Sequence, residues 1–191
     1  MKTLKFYTIS DEYIVYMQQF EKHIYSNLKG DSPNRHTYVG ILLNINSMTY
    51  FAPLVSMKAK YLKAKDKLDI ILLKPYAIIN LNNMMPVPES EVHLLDFSKQ
   101  EPHYRDLLKK EWALCKSKQD KIINYAERLY HGITSGKLNM PHCFDYKKLE
   151  VKCAAFSSEK STRNAAYLDK IQRGIKQCAE GRGLRRDIDE V

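Results

Sequence analysis

Apolar positions follow two different rhythms along this chain, and the change near residue 100 shapes the first expectation of its fold. Residues 3–9, TLKFYTI, are rich in aromatic and β-branched types and read as a strand. Ser10 then offers a helix N-cap, with Asp11 and Glu12 placing negative charge where a helix dipole favours it. Tyr13, Met17, Phe20, Ile24 and Leu28 recur at three- and four-residue steps, and Gly30 supplies a stop, so the spacing predicts an amphipathic helix of about five turns. GDSPNR at 30–35 is loop by composition. TYVGILLNI at 37–45 and MTYFAPLVS at 48–56, joined by Asn46-Ser47, form a predicted antiparallel hairpin, with Pro53 suggesting an edge or a bulge. Two apolar stretches follow, LDIILL at 68–73 and YAIINL at 76–81, and MMPVPESEVHLLDF at 84–97 holds one more short strand or connector.

From Pro102 to Gly132 the rhythm becomes helical. Tyr104, Leu107, Leu108, Trp112 and Cys115 mark one face, and Ile122, Ile123, Ala126, Leu129 and Tyr130 resume it, which two helices or one kinked helix would explain. SGKLNMPHC at 135–143 is loop, DYKKLEVKCAAF at 145–156 is helical, and 160–179 fits a further helix. The final EGRGLRRDIDEV is polar and glycine-interrupted, and a frayed tail is expected there. Strands first and helices later predict an α+β protein.

Composition narrows the partners. The chain has 191 residues, 44% of them hydrophobic, with 31 Lys+Arg against 22 Asp+Glu and a net charge of +9. That suits one domain with a core and a preference for polyanions, although net charge speaks to association and not to chemistry. No apolar run approaches the roughly 18 residues that a membrane span needs, and the N-terminus turns acidic where a signal peptide would be apolar, so a soluble cytoplasmic protein is expected. Cysteines at 115, 143, 153 and 178 form no C-x-x-C pair. Free thiols are therefore expected, and neither a zinc site, even at His142-Cys143, nor a disulfide framework is indicated.

Three features carry candidate chemistry. KAKYLKAKDK at 58–67 has five lysines and one aspartate, a run that is usually just a solvated face. At its start Ser56-Met57-Lys58 puts a hydroxyl and an ammonium two residues apart, where extended backbone aims both at one phosphate. On spacing alone a plain strand end explains the pair as well. Tyr7, Tyr13, Tyr16, Tyr25, Tyr38, Tyr50 and Tyr61, interleaved with basic residues, could stack on unpaired bases, although about half are expected to be ordinary core tyrosines. His36, beside Arg35, has a side chain whose ordinary pKa suits proton transfer. No P-loop, dinucleotide fingerprint, nucleophile elbow or H-E-x-x-H is present. These residues support a basic α+β protein that is either an RNA binder or a metal-free ribonuclease.

Three blocks extend that reading. KFYTIS at 5–10 with Tyr13, YFAPLVSMK at 50–58, and INLNNMMPVPESEVHLLD at 79–96 resemble the ToxN/AbiQ family, and the chain is similar also to the CptN branch of that superfamily. The resemblance covers roughly residues 4–155. It implies a compact, highly twisted antiparallel sheet surrounded by helices, related to the MazF/Kid toxin fold, in one domain over 1–160 followed by a helix and tail over 161–191. It also implies RNA cutting without metal or cofactor, leaving a 2′,3′-cyclic phosphate and a 5′-hydroxyl. The implied partner is a repeated pseudoknot RNA antitoxin in a closed 2+2 or 3+3 assembly, with cellular or phage RNA as substrate and neither DNA nor membrane involved. The family's active-site stretch P-L-T-S-x-K falls on Pro53-Leu54-Val55-Ser56-Met57-Lys58, with valine replacing the threonine. Its early tyrosine falls on Tyr13, and a lysine before its second strand falls near His36, where Arg35 could supply the cation.

By that resemblance Ser56, Lys58, Tyr13 and His36 are the expected catalytic residues. Arg35, Tyr38, Lys60, Lys63, Lys65 and Lys67 are the expected RNA contacts. Two other readings of the same residues are a non-catalytic RNA-binding module and a MazF/Kid-type toxin restrained by a protein.

Overall fold

The computed structural model describes residues 4–26, 36–40 and 42–180. The chain divides into a first unit ending at Cys153 and a second beginning at Ala154. The first is an α+β fold whose twisted antiparallel sheet is surrounded by helices. Its strands are β1 (Lys5–Ile9), β2 (Tyr38–Gly40), β3 (Asn44–Ile45), β4 (Met48–Ser56), β5 (Ile70–Leu73), β6 (Ala77–Asn80), β7 (Met85–Val87) and β8 (Val92–Leu94). They run in the order β5-β6-β4-β2-β1-β8, with β3 and β7 also paired to β4.

β4 organises the sheet. The turn before it has φ of 51° at Asn46 and 64° at Ser47, the two left-handed residues that a tight hairpin needs, and Asn tolerates that region best. The strand then changes partners on both sides. One side runs from β3 to β2, and the other from β7 (Thr49–Phe51) to β6 (Leu54–Ser56). Pro53 therefore lies in a central strand, neither at an edge nor in a bulge. The Leu54 N–H donates to Thr37 on the β2 side, so by alternation the absent N–H of Pro53 faces the junction between β7 and β6. No ladder bond is forfeited there. The residues of β5 and β6 from Ile71 to Leu73 and Ala77 to Ile79 are all buried, as expected of continuous apolar strands.

Helix α1 (Asp11–Gln18) begins where expected, with Ser10 Oγ accepting from the Tyr13 N–H at 3.2 Å. It ends after two turns rather than five. The N–H groups of Gln19, Phe20 and Glu21 converge on the carbonyls of Tyr16 and Met17, and Gln18 Nε2 bonds the Ile24 carbonyl at 2.9 Å. This folds the chain back so that Ile24 enters the core, a burial that helical spacing alone does not distinguish from a longer helix. Leu28 and Gly30 lie outside the described residues, as does Arg35.

α2 (Pro102–Ser117) and α3 (Gln119–Thr134) are two helices that meet at Lys118. Pro102 opens the first, where its missing N–H costs nothing. Both hold the start of β1, because Leu4 N–H donates to Gln119 Oε1 at 2.8 Å and Trp112 Nε1–H to the Leu4 carbonyl at 3.2 Å. α4 (Tyr146–Ala179) is continuous where two helices were expected. Neither proline nor glycine interrupts it before Gly174, and Ser161 and Thr162 satisfy their hydroxyls on carbonyls one turn back. In the second unit Tyr167, Leu168, Ile171 and Ile175 are exposed. Among the described residues no helix is long and apolar enough to cross a membrane.

Tyrosines build much of the first unit's interior. Tyr50 and Tyr130 both donate to Glu150 Oε1 at 2.7 Å, Tyr146 donates to the Leu81 carbonyl at 3.1 Å, and the three rings pack within 6.2 Å of one another. Buried hydroxyls are tolerated there because each has an acceptor.

Candidate functional site

Ser56 is the last residue of β4, held in register opposite Ala77, and the next N–H, from Met57, donates to the Tyr76 carbonyl at 2.9 Å. Lys58 follows in extended backbone, φ −99° and ψ 145°. Both side chains are exposed. Among the described residues neither the Ser56 hydroxyl nor the Lys58 ammonium has a hydrogen-bond or ion-pair partner, so both are available to an anion. Lys60, Lys63, Lys65 and Lys67 continue this exposed surface.

The other expected residues sit differently. Tyr13 is fully buried, and its hydroxyl donates to the Pro86 carbonyl at 2.6 Å. Burial, together with the nearby Cys153, raises its pKa well above that of an ordinary phenol. Tyr38 is 1% exposed, so its ring face is not offered to a base, and burial raises its pKa too. His36 stacks on Tyr25 with centroids 4.5 Å apart and 5° between planes, and meets Tyr38 edge-on at 5.5 Å. Burial lowers its pKa from 6.5 to about 4, because a charged imidazolium would be poorly solvated there. The proton transfer near neutral pH that its ordinary pKa suggested is thus displaced downward, and at neutral pH the imidazole is uncharged. The β2–β4 register, extended by the bond from Leu54 to Thr37, brings residue 36 beside Val55, the neighbour of Ser56. By strand alternation the imidazole lies on the Val55 face of the sheet, with Tyr25 and Tyr38, and Ser56 on the opposite one.

Asp66, Lys118 and Lys121 were not anticipated from sequence. Asp66 is the lone acid of the lysine run, and its carboxylate accepts from Lys121 at 2.6 Å, from Lys118 at 3.2 Å and from the Leu72 N–H at 2.9 Å. Burial alone would raise this carboxyl, but those bonds outweigh it and hold the pKa below the usual value. Only the odd sign of Asp66 within its run hinted at such a role. A cleft of about 600 Å³ lies elsewhere, lined by Arg128, His131 and Lys137 among others, and contains none of the expected residues. Among the described residues no group of three or more His, Cys, Asp or Glu is placed to hold a metal ion. None of the four cysteines forms a disulfide, and burial raises the Cys115 thiol to about 12 and the Cys143 thiol to about 11.

An exposed serine and lysine at a strand end would be weak ground for a family by themselves. The model of "Toxin ToxN, type III toxin-antitoxin system" matches residues 5–154, the stretch that contains them. The chain belongs to the ToxN toxin family. It is 32% identical over 181 residues to endoribonuclease ToxN of Bacillus thuringiensis subsp. kurstaki, covering 88% of this chain and 91% of that protein. It is 33% identical over 174 residues to endoribonuclease AbiQ of Lactococcus lactis subsp. lactis, covering 84% and 92%. The solved structure of AbiQ, a lactococcal anti-phage endoribonuclease of a type III system, superposes with a TM-score of 0.70 at 30% identity, covering 82% of this chain and 99% of that one. A solved type III toxin described as selectively inhibited by a non-coding RNA pseudoknot gives 0.69 at 28% identity, covering 82% and 99%.

Proposed function

We propose that this ToxN-family protein is an endoribonuclease toxin that cuts cellular or phage RNA in the cytoplasm and is restrained by an RNA antitoxin. The observation that carries the reading is the exposed Ser56–Lys58 pair, without partners among the described residues, at the end of a central strand and within the stretch shared with endoribonucleases. Cleavage uses the substrate's own 2′-hydroxyl. Its oxygen bonds to the adjacent phosphorus as its proton passes to water, the bond from phosphorus to the 5′-oxygen breaks, that oxygen takes a proton from water, and the products are a 2′,3′-cyclic phosphate and a 5′-hydroxyl. Lys58 neutralises the phosphoryl oxygens as charge builds, and Ser56 donates a hydrogen bond to the same oxygens. No step requires a metal or cofactor.

Lys60, Lys63, Lys65 and Lys67 grip the flanking phosphates. His36 and Tyr38 support the strand from its other face, and Tyr13 braces the sheet through Pro86 without touching RNA. Arg35 is an additional cation contact. The antitoxin is a processed pseudoknot repeat held with the toxin in a closed 2+2 or 3+3 assembly. Residues 1–160 form the toxin domain and 161–191 an extension, in keeping with a family match that ends at residue 154. Expression of the wild-type chain should arrest bacterial growth and shorten cellular RNA, and co-expression of its pseudoknot repeat should relieve both. Growth and RNA left unchanged by the expressed, folded toxin would overturn the reading.

A further inference from the structure

A loop with five lysines should repel itself, yet residues 58–67 are folded. Tyr61, Leu62 and Ala64 donate N–H groups to Lys58, Ala59 and Tyr61, and Lys67 and Ile70 exchange both of theirs. The far end of this loop is fixed chiefly by one side chain. Asp66, 10% exposed, binds the Leu72 N–H of β5 and the ammonium groups of Lys118 and Lys121 at the α2–α3 junction. Lys118 continues to the Leu72 carbonyl at 2.8 Å, and Lys74 reaches back to the Ala64 carbonyl. One carboxylate therefore joins the loop, the sheet and the helix junction, and offsets the repulsion among Lys65, Lys67, Lys118 and Lys121.

We infer that Asp66 is a positioning residue for cleavage: it fixes the path of the 57–67 loop, so that Lys58 stays beside Ser56 and the remaining lysines follow one RNA backbone. This rests on the reading of Ser56 and Lys58 as the cleavage site. Charge alone makes the opposite forecast. Asp66→Asn removes a negative charge from a basic protein, and if Asp66 only dilutes the field, RNA should bind more tightly and be cut at least as well. Asn keeps the size of the side chain and an acceptor for Leu72, but it cannot hold two ammonium groups. A displacement of about 1 Å at a catalytic group can cost about 100-fold in rate.

The test compares kcat on a short RNA with affinity for the same RNA carrying a 2′-deoxy block at the cut. Asp66→Asn should lower kcat about 10- to 100-fold, with affinity unchanged or tighter. Lys118→Gln, which removes a positive charge, should lower kcat in the same direction. Glu127→Gln, which removes a negative charge from the exposed face of α3, should leave kcat unchanged, and Asp66→Glu should restore part of the loss. Wild-type kcat in folded Asp66→Asn would overturn the inference, as would a loss in both loop variants that merely tracks the unfolded fraction. If Lys58→Ala cuts like wild type, the underlying cleavage-site reading fails instead.

Discussion

The tyrosine-rich interior and the lysine-rich loop exchange the roles that their compositions suggest. Tyr13, Tyr38 and Tyr50 look like a stacking platform, yet all three are buried, and the hydroxyls of Tyr13 and Tyr50 are bonded to protein acceptors. The segment 58–67 looks like an idle solvated face, yet at its start Ser56 and Lys58 have no partner among the described residues, and it is anchored by a half-buried carboxylate. Satisfied groups stabilise a fold, whereas groups left unsatisfied at a rigid edge remain available to a ligand. Substitutions should therefore separate stability from cleavage by region.

The largest effect is expected in the loop. Lys58→Ala should slow RNA cleavage by about 10²–10³ with an unchanged melting temperature, and cleavage assays beside thermal unfolding would read both. In the interior the pattern reverses. Glu150→Leu leaves the Tyr50 and Tyr130 hydroxyls without their acceptor. It should cost about 2 kcal/mol of stability, lowering the melting temperature by roughly 4–8 °C, while kcat at 25 °C is retained. A fall in kcat at full folding would blur the boundary between the regions.

His36 gives a pH test of the border. Its native pKa is about 4 and its unfolded value about 6.5, so between those values the unfolded state binds the extra proton. Its contribution to stability is therefore complete above about pH 6.5 and is lost as pH falls toward 4, by up to about 1.4 kcal/mol per unit. Glu111, raised by burial to about 7, works the other way between its two values, so only the difference between wild type and His36→Gln isolates the histidine. That difference should appear in acid unfolding, whereas cleavage between about pH 5.5 and 7.5 should have the same profile in both proteins. The smallest effect is expected from the outer lysines. Lys63→Ala should weaken RNA binding a few-fold and reduce the salt dependence by about 0.7 in slope, read from binding titrations at several ionic strengths.

Much of the fold was legible because its signals are local. The hairpin at Asn46-Ser47, the Ser10 cap with its acidic turn, and the two helices after Pro102 each rest on neighbouring residues. The misjudged elements depend on distant partners. Pro53 is central because β6 and β7 divide one side of β4 at that residue, and no sequence window contains that division. α1 is short because Ile24 turns into the core and Tyr25 stacks on His36. In the site, Ser56 and Lys58 were visible as a pair in one extended stretch. The burial of Tyr13 and Tyr38 and the grip of Asp66 on Lys118 depend on contacts 52 to 73 residues away or on sheet register, which side-chain type does not encode.

The most direct measurement is to incubate the purified protein with RNA in excess EDTA and determine the chemistry of the product ends. The account expects cleavage to persist, leaving 2′,3′-cyclic phosphate and 5′-hydroxyl termini that disappear with Lys58→Ala. RNA that is bound but left intact, or products carrying 5′-phosphates, would contradict it.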